Sequence, residues 1–392
     1  MSAEPVRVML CDDSATARAA LARVLETDPG LRIVSRVGDG RAALAAFDGT
    51  DAAGRPEVVL LDLEMPVMDG LTALPLLLRA TPRPIVIVAS ALTQRGAAVT
   101  MAALRTGASD YIPKPGAAAG GIADPVFRAE LLEKVKGWGR VGRTRPAPAA
   151  RPTPRRTPAG TRPARALMLG SSTGGPEALA LLLRHLRPAP PVPVLMVQHM
   201  PPGFTAMLAD HLSRLGPLPV AEARDGDRLL PGRALLAPGN RHMLVERSAE
   251  GQRVRLTDDP PENFCRPAVD PTLRSLSHAC DGQVLAAILT GMGQDGLLAC
   301  RDLVAAGGTV LAQDEASSVV WGMPGAVARA GLAEVLLPPD ALAERILAQN
   351  WAGSRTAYRA PERAPDLMAG RASGRAAEPS PALPAPFRRA AP

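Results

Sequence analysis

Apolar residues in the first 125 positions fall in short runs rich in Val, Ile and Leu: VRVMLC, LRIVSRV, EVVLLDL, PIVIVAS and DYIP. Between them, stretches such as ATARAALARVLE and LTALPLLLRA space their apolar residues three and four apart. Runs this short, apolar on consecutive positions, read as strands covered on both faces, and the 3.6-periodic stretches as the covering helices. Five such units predict a parallel sheet with helices on each side. After residue 163 the theme returns with RALMLG, PVLMVQH, RALLAPG, VLAAILTG and GTVLAQD. The expected fold class is therefore α/β, with two doubly wound parallel-sheet domains.

Residues 137–165, GWGRVGRTRPAPAARPTPRRTPAGTRPAR, interrupt this pattern with a Pro/Arg/Ala-rich stretch that has almost nothing to bury. It reads as a semi-extended linker. The segment after Trp351 has the same composition and reads as a disordered tail. The expected boundaries are a first domain at 5–125, its closing helix and the linker at 126–162, a second domain at 163–349 and the tail at 352–392.

Charge alters this picture little. The net charge of +7 invites a nucleic-acid partner, but the linker holds eight arginines and no acid, and the tail seven arginines against three acids. The remainder of the chain is near −5, so the basic charge sits outside the predicted folded domains. A DNA-binding domain would carry it on a structured face instead. No apolar run reaches the ~18 residues that span a bilayer. The amino terminus lacks the pattern of a signal peptide, and Cys11, Cys265, Cys280 and Cys300 form no metal or disulfide framework. Reduced thiols in a cytoplasmic protein without membrane insertion are expected.

In doubly wound folds, chemistry gathers at the carboxyl ends of the strands. In the first domain that edge collects Asp12 and Asp13 after the first strand, Asp62 after the third, Ser90 after the fourth and Lys114 after the fifth. Any one of these reads equally well as a helix cap. Together, three crowded carboxylates require a compensating cation, and Mg²⁺ suits them because it takes oxygen ligands and bridges to phosphate. A lysine and a hydroxyl opposite would receive a phosphoryl group. The segments CDDS, LLDLEMPVMDG, ASALT and YIPKP resemble the receiver domain of two-component response regulators. The resemblance implies a flavodoxin-like sheet and phosphorylation of Asp62 by a histidine kinase. It further implies Mg²⁺ held by Asp12, Asp13, Asp62 and the backbone carbonyl of Glu64, a switch pair of Ser90 and Tyr111, and Lys114 as the phosphoryl-binding lysine.

The second domain opens with LMLGSSTGGPEAL, in which Gly170, Ser172 and Gly174 satisfy G-x-S-x-G. That pattern is a strand-to-helix elbow presenting a serine hydroxyl above a sheet. Backbone N–H groups after the serine, Thr173 first, would face a developing oxyanion. Ser171 is the rival hydroxyl, in the unspecified position of the pattern, and a plain capped turn is the alternative to any nucleophile. For a base, His185, His211 and His278 lie in helical stretches. His199, which ends a strand before MPPGF, is favoured on position over His242 in APGNRHM.

The stretch TGMGQDG at 290–296 admits two readings. Gly291, Gly293 and Gly296 match the dinucleotide fingerprint, a helix follows, and Asp314 lies at a suitable distance beyond. Against this, three earlier strands precede it, and Asp295 would push a carboxylate at a doubly negative pyrophosphate. As the acid orienting a histidine, Asp295 has the charge required. With Ser172, His199 and Asp295 so placed, the segments GSSTGGPEAL, VQHMPPGFTAMLADHL, APGNRHM, CRPAVDPTLRS and LTGMGQDGL resemble the catalytic domain of chemotaxis protein-glutamate methylesterases, the CheB family. The resemblance implies a Rossmann-like domain with Ser172 as nucleophile, His199 as base, Asp295 as orienting acid and the N–H of Met292 in the oxyanion hole. It implies methylated chemoreceptor helices as substrate, no cofactor for hydrolysis, gating by the receiver and a monomer. Ser171 departs from the alanine more usual in the family. The competing function is a response regulator whose second domain binds a dinucleotide or other ligand without hydrolysis.

Overall fold

A computed structural model describes residues 4–51, 54–91, 93–114, 121–143 and 162–352. In the first domain the order is β1 (Val6–Cys11), α1 (Ala15–Leu25), β2 (Leu31–Val37), α2 (Gly40–Asp48), β3 (Val58–Asp62), α3 (Gly70–Leu77), β4 (Ile85–Ala91), α4 (Gln94–Thr106), β5 (Asp110–Lys114) and α5 (Pro125–Arg143). Each of the first four helices starts where a short polar side chain accepts a backbone N–H, namely Ser14, Asp39, Asp69 and Thr93. This is the capping chemistry expected at strand-to-helix loops. The strands pair in parallel in the order β2-β1-β3-β4-β5, the flavodoxin-like arrangement. All five residues of β3 are buried, as a central parallel strand requires. Strand order runs outward in opposite senses from β1 and β3, so Asp12 and Asp62 flank the switch point.

Helix α5 corrects the linker expectation. Residues 137–143 continue the helix instead of opening an extended segment. Phe127, Leu131, Val135 and Trp138 are buried along one face, and this packing outweighs the poor helix propensity of Gly137 and Gly139. Arg143 then reaches back to both carboxylate oxygens of Glu57, each at 2.6 Å. The rest of the expected linker, 144–161, and the expected tail from 353 onward lie outside the described residues.

The second domain continues with β6 (Ala166–Ser171), α6 (Gly175–His185), β7 (Val194–Gln198), α7 (Phe204–Ser213), β8 (Val220–Glu222), β9 (Ala234–Leu236), β10 (His242–Ser248) and β11 (Gly251–Thr257). It closes with α8 (Val269–Ala279), β12 (Val284–Ile288), α9 (Leu297–Ala305), β13 (Thr309–Gln313), α10 (Met323–Arg329), β14 (Leu336–Leu337) and α11 (Pro339–Leu347). Seven strands form a parallel sheet in the order β14-β13-β12-β6-β7-β9-β8. β10 and β11 form a separate antiparallel hairpin. Central strands β6, β7 and β12 are buried at every position. Their carboxyl ends deliver Ser172, His199 and the 290–296 loop to one rim. No helix among the described residues is long and apolar enough to cross a membrane.

Candidate active site

At the receiver edge, ligand atoms of Asp12, Asp13 and Asp62 lie within 4.8 Å of one another. Lys114 Nζ sits between two of them, 2.8 Å from Asp12 Oδ2 and 2.6 Å from Asp62 Oδ2. The Glu64 N–H donates to Asp62 Oδ1 at 3.3 Å. Burial raises Asp62 above the usual carboxylate range despite Lys114, and repulsion from Asp12 adds to the rise. Nearby, the buried Cys11 thiol is pushed up to about 12 by desolvation and by the charges of Asp39, Asp62 and Asp12. One lysine thus leaves excess negative charge, and an all-oxygen donor set fits a hard divalent cation. Ser90 is buried and its hydroxyl donates to the Gly96 carbonyl in the first turn of α4 at 3.0 Å. Tyr111 is buried too, stacked on Phe204 of the second domain at 5.3 Å between ring centroids.

In the second domain, β6 runs into the elbow and Gly174 takes a left-handed φ of 75° at the head of α6. The two candidate serines part here. Ser171 is fully buried, and its hydroxyl donates to Gln198 Oε1 at 2.7 Å. Ser172 is half-buried, with its N–H on the Thr290 carbonyl at 3.0 Å and its carbonyl held by Gln198 Nε2 at 2.9 Å. Gln198 therefore braces the elbow from β7. Thr173 is buried, its carbonyl accepting from the Thr290 hydroxyl at 2.8 Å. The 290–296 loop presses against this turn. A Cβ on Gly291 would lie 2.8 Å from that of Ser172, so the glycine allows the close approach and a larger residue would displace the serine. Met292, half-buried on the same loop, packs against the receiver core.

His199 Nε2 meets Asp295 Oδ2 at 2.7 Å. Asp295 also accepts the N–H of Val269 (2.6 Å) and of Asp270 (3.1 Å) and the Asn263 amide (3.0 Å). Burial works to raise Asp295, but the bonds from His199, Val269 and Asp270 outweigh it and hold its carboxyl below the usual range. For His199, burial opposes the imidazolium, yet the hydrogen bond to Asp295 and that carboxylate's charge prevail and push it up to about 10. A carboxylate can only accept, so His199 carries its proton on Nε2 toward Asp295.

The competing readings lose their residues. His242 is buried, with Nδ1 accepting from the Ala268 N–H (3.3 Å) and Nε2 donating to the Pro260 carbonyl (3.1 Å). Its ring is committed to holding the 260–268 segment. The Asp295 carboxylate occupies the turn a pyrophosphate would need. Asp314 accepts the Ser317 N–H at 3.1 Å and caps its own loop. Three contributors escape the sequence reading: Gln198 beneath the elbow, Asp270, and Asn263, whose amide bridges Asp295 and Asp270 at 3.0 and 2.9 Å. Asn263 stands two residues before the CRPAVD segment and Asp270 ends it, but amide and acid residues near a helix start suggest caps first.

The receiver lies against this rim. Asp110 Oδ2 accepts the Gly174 N–H at 3.1 Å and Trp138 Nε1 at 3.0 Å. Arg140 donates to the Ser318 carbonyl at 2.8 Å. Gly137 passes so close that an added Cβ would sit 2.0 Å from the Val319 carbonyl oxygen. Val319, Val320 and Met292 join the receiver's apolar core.

Comparison with known proteins agrees with this architecture. The response regulator receiver domain model matches residues 8–122, and the CheB methylesterase model residues 167–346. The protein-glutamate methylesterase/protein-glutamine glutaminase of Azospirillum brasilense is 49% identical over 359 residues, covering 86% of this chain and 90% of its own. A namesake from Paramagnetospirillum magneticum is 46% identical over 372 residues, covering 88% and 96%. Among solved structures, the CheB methylesterase catalytic domain of Thermotoga maritima is 37% identical with a TM-score of 0.46, covering 48% of this chain and 99% of its own. The chain is thus a response regulator with a parallel-sheet α/β output domain. It belongs to the CheB family of protein-glutamate methylesterase/protein-glutamine glutaminases.

Proposed function

We propose that the chain is a cytoplasmic, phosphorylation-gated serine hydrolase that removes methyl groups from glutamyl esters on chemoreceptor helices. Ser172 is the nucleophile. With Nε2 committed to Asp295, Nδ1 of His199 is the atom that takes the serine proton, and Asp295 stabilises the resulting imidazolium. The alkoxide adds to the ester carbonyl, and the N–H groups of Met292 and Thr173 receive the oxyanion. Collapse expels methanol, which takes the proton back from His199. Water then attacks the acyl-enzyme by the same relay and releases glutamate and free Ser172. A glutamine side chain entering the same site would release ammonia instead.

Gating falls to the first domain, for which limits of 5–125 are proposed, ahead of a hydrolase domain at 163–349. A histidine kinase supplies the phosphoryl group, which Asp62 accepts. Asp12, Asp13, Asp62 and the Glu64 carbonyl would hold Mg²⁺, whose charge neutralises the transferring phosphoryl oxygens. Lys114 takes one of those oxygens, and Ser90 and Tyr111 relay the change to the face packed on the hydrolase. Substrate is protein, and no nucleic acid or membrane insertion is involved.

One observation carries this reading: the 2.7 Å His199–Asp295 bond lies at the rim where Gly291 packs against Ser172. The test is methanol release from methylated receptor membranes, with and without a phosphodonor. Wild type releases methanol and the phosphodonor increases it. Ser172→Ala loses on the order of 10⁴-fold or more in rate while Tm is unchanged. Full activity in Ser172→Ala sinks the proposal.

A further inference from the structure

Among the described residues, Phe264 is the most exposed large apolar side chain, at 103% of its reference area. Its backbone lies at a φ of 63°, and that of Asn263 at 53°. Glu262 and Cys265 exchange both backbone hydrogen bonds around this pair, at 3.0 and 3.1 Å. The four residues form a two-residue hairpin turn that needs left-handed backbone at both central positions, and the favoured sequence is Asn-Gly. Here Asn stands where it belongs and phenylalanine stands in place of glycine. A bulky side chain in that conformation is strained, and with its ring in solvent nothing among the described residues compensates.

The turn is also tied to the reacting groups through Asn263. Asn263 donates to Asp295, the carboxylate that holds His199. Consecutive Cα atoms are about 3.8 Å apart, so the ring projects one residue from that contact. Leu298, three residues past Asp295, is likewise exposed at 53%.

We infer that Phe264 is a specificity-determining residue that lands on the apolar stripe of the substrate helix beside the esterified glutamate. On a helix, residues three and four positions from that glutamate stand 5–6 Å from it, within the span of an aromatic ring set beside the catalytic histidine. The inference rests on the proposed methylesterase reading and adds the means by which a helical protein substrate is told from a free ester.

The test compares full-length wild type, Phe264→Gly and Phe264→Trp, each with phosphodonor, on methylated receptor membranes and on the soluble γ-methyl ester of N-acetylglutamate. Phe264→Gly should raise KM for receptor about tenfold, as for loss of one aromatic anchor. It should leave turnover of the soluble ester unchanged and raise Tm, because glycine suits the turn. Phe264→Trp should restore the receptor KM. An unchanged receptor KM in Phe264→Gly overturns the inference, and so does an equal loss on both substrates, which would make the turn a support for the His199–Asp295 pair. If wild type cleaves neither substrate, the esterase reading fails first and the inference goes with it.

Discussion

Asp62 and Asp295 are both buried carboxylates at the carboxyl edge of a parallel sheet, yet their surroundings push them in opposite directions. Asp62 has Lys114 and one long bond from the Glu64 N–H, faces Asp12, and is raised by burial. Asp295 is wrapped by two backbone N–H groups, an amide and an imidazole, and is lowered. The first is short of donors, as the proposed phosphoryl acceptor would be. The second has its oxygens saturated, which suits it to orient a neighbour without reacting. Donor supply, more than burial, separates the two carboxylates.

Removing the saturated carboxylate should have the largest effect. Asp295→Asn is expected to cut kcat about 10³–10⁴-fold. It should also lower the pKa of His199, moving the acidic limb of the pH–rate profile to lower pH. Stability gives an independent readout. A raised imidazole stabilises the fold fully below its unfolded value of about 6.5 and loses that contribution as pH rises toward about 10. The fall in wild-type Tm over this window should therefore flatten in the variant. An unmoved pH profile would break the contrast between the two acids.

A smaller effect tests whether the two sites communicate through contact. Gly137→Ala places a methyl against the Val319 carbonyl and adds helix propensity worth about 0.5–1 kcal/mol. Basal esterase activity without phosphodonor should rise several-fold, with the remaining stimulation by phosphodonor reduced to match. Unchanged basal activity would mean that the docked receiver does not restrain the enzyme. Smallest is the response of the donor-poor corner to metal. Mg²⁺ at ten times its Kd should add about 1.4 kcal/mol to stability. Asp62→Asn should largely lose this increment, together with all phosphodonor stimulation. In the absence of metal the variant should melt higher at neutral pH. A carboxyl raised by the fold is penalised as pH rises past its ordinary value, and the amide has no charge to penalise. A metal-insensitive wild type would remove Mg²⁺ from the scheme.

Much of this was legible in the chain. Most of the ten apolar runs marked strands because central parallel strands are apolar throughout, while LRIVSRV, broken by two arginines and a serine, formed the edge strand β2; the strand ends placed Ser172, His199 and Asp295 on one rim. DYIP, with two apolar residues in four, was the faintest and still marked β5. The hairpin β10–β11 escaped because its alternation of apolar and charged positions is short and belongs to neither central layer. The helical stretch at 137–143 escaped because three glycines and two arginines hide a face defined only by tertiary contacts of Trp138 and Gly137. Gln198 and Asn263 could not be found from spacing, because an amide bracing a distant turn leaves no local pattern.

The bond from Gly174 to Asp110 carries a further consequence. That N–H lies two residues past Ser172, at the positive end of α6, where an anion formed in ester attack would seek the same field. While the receiver is docked, that end of the helix already faces a fixed negative charge. Under the proposed gating, the resting enzyme would therefore be opposed twice, by obstruction of the rim and by rivalry for one helix terminus. Even a substrate small enough to slip past the obstruction would meet an environment tuned against its transition state.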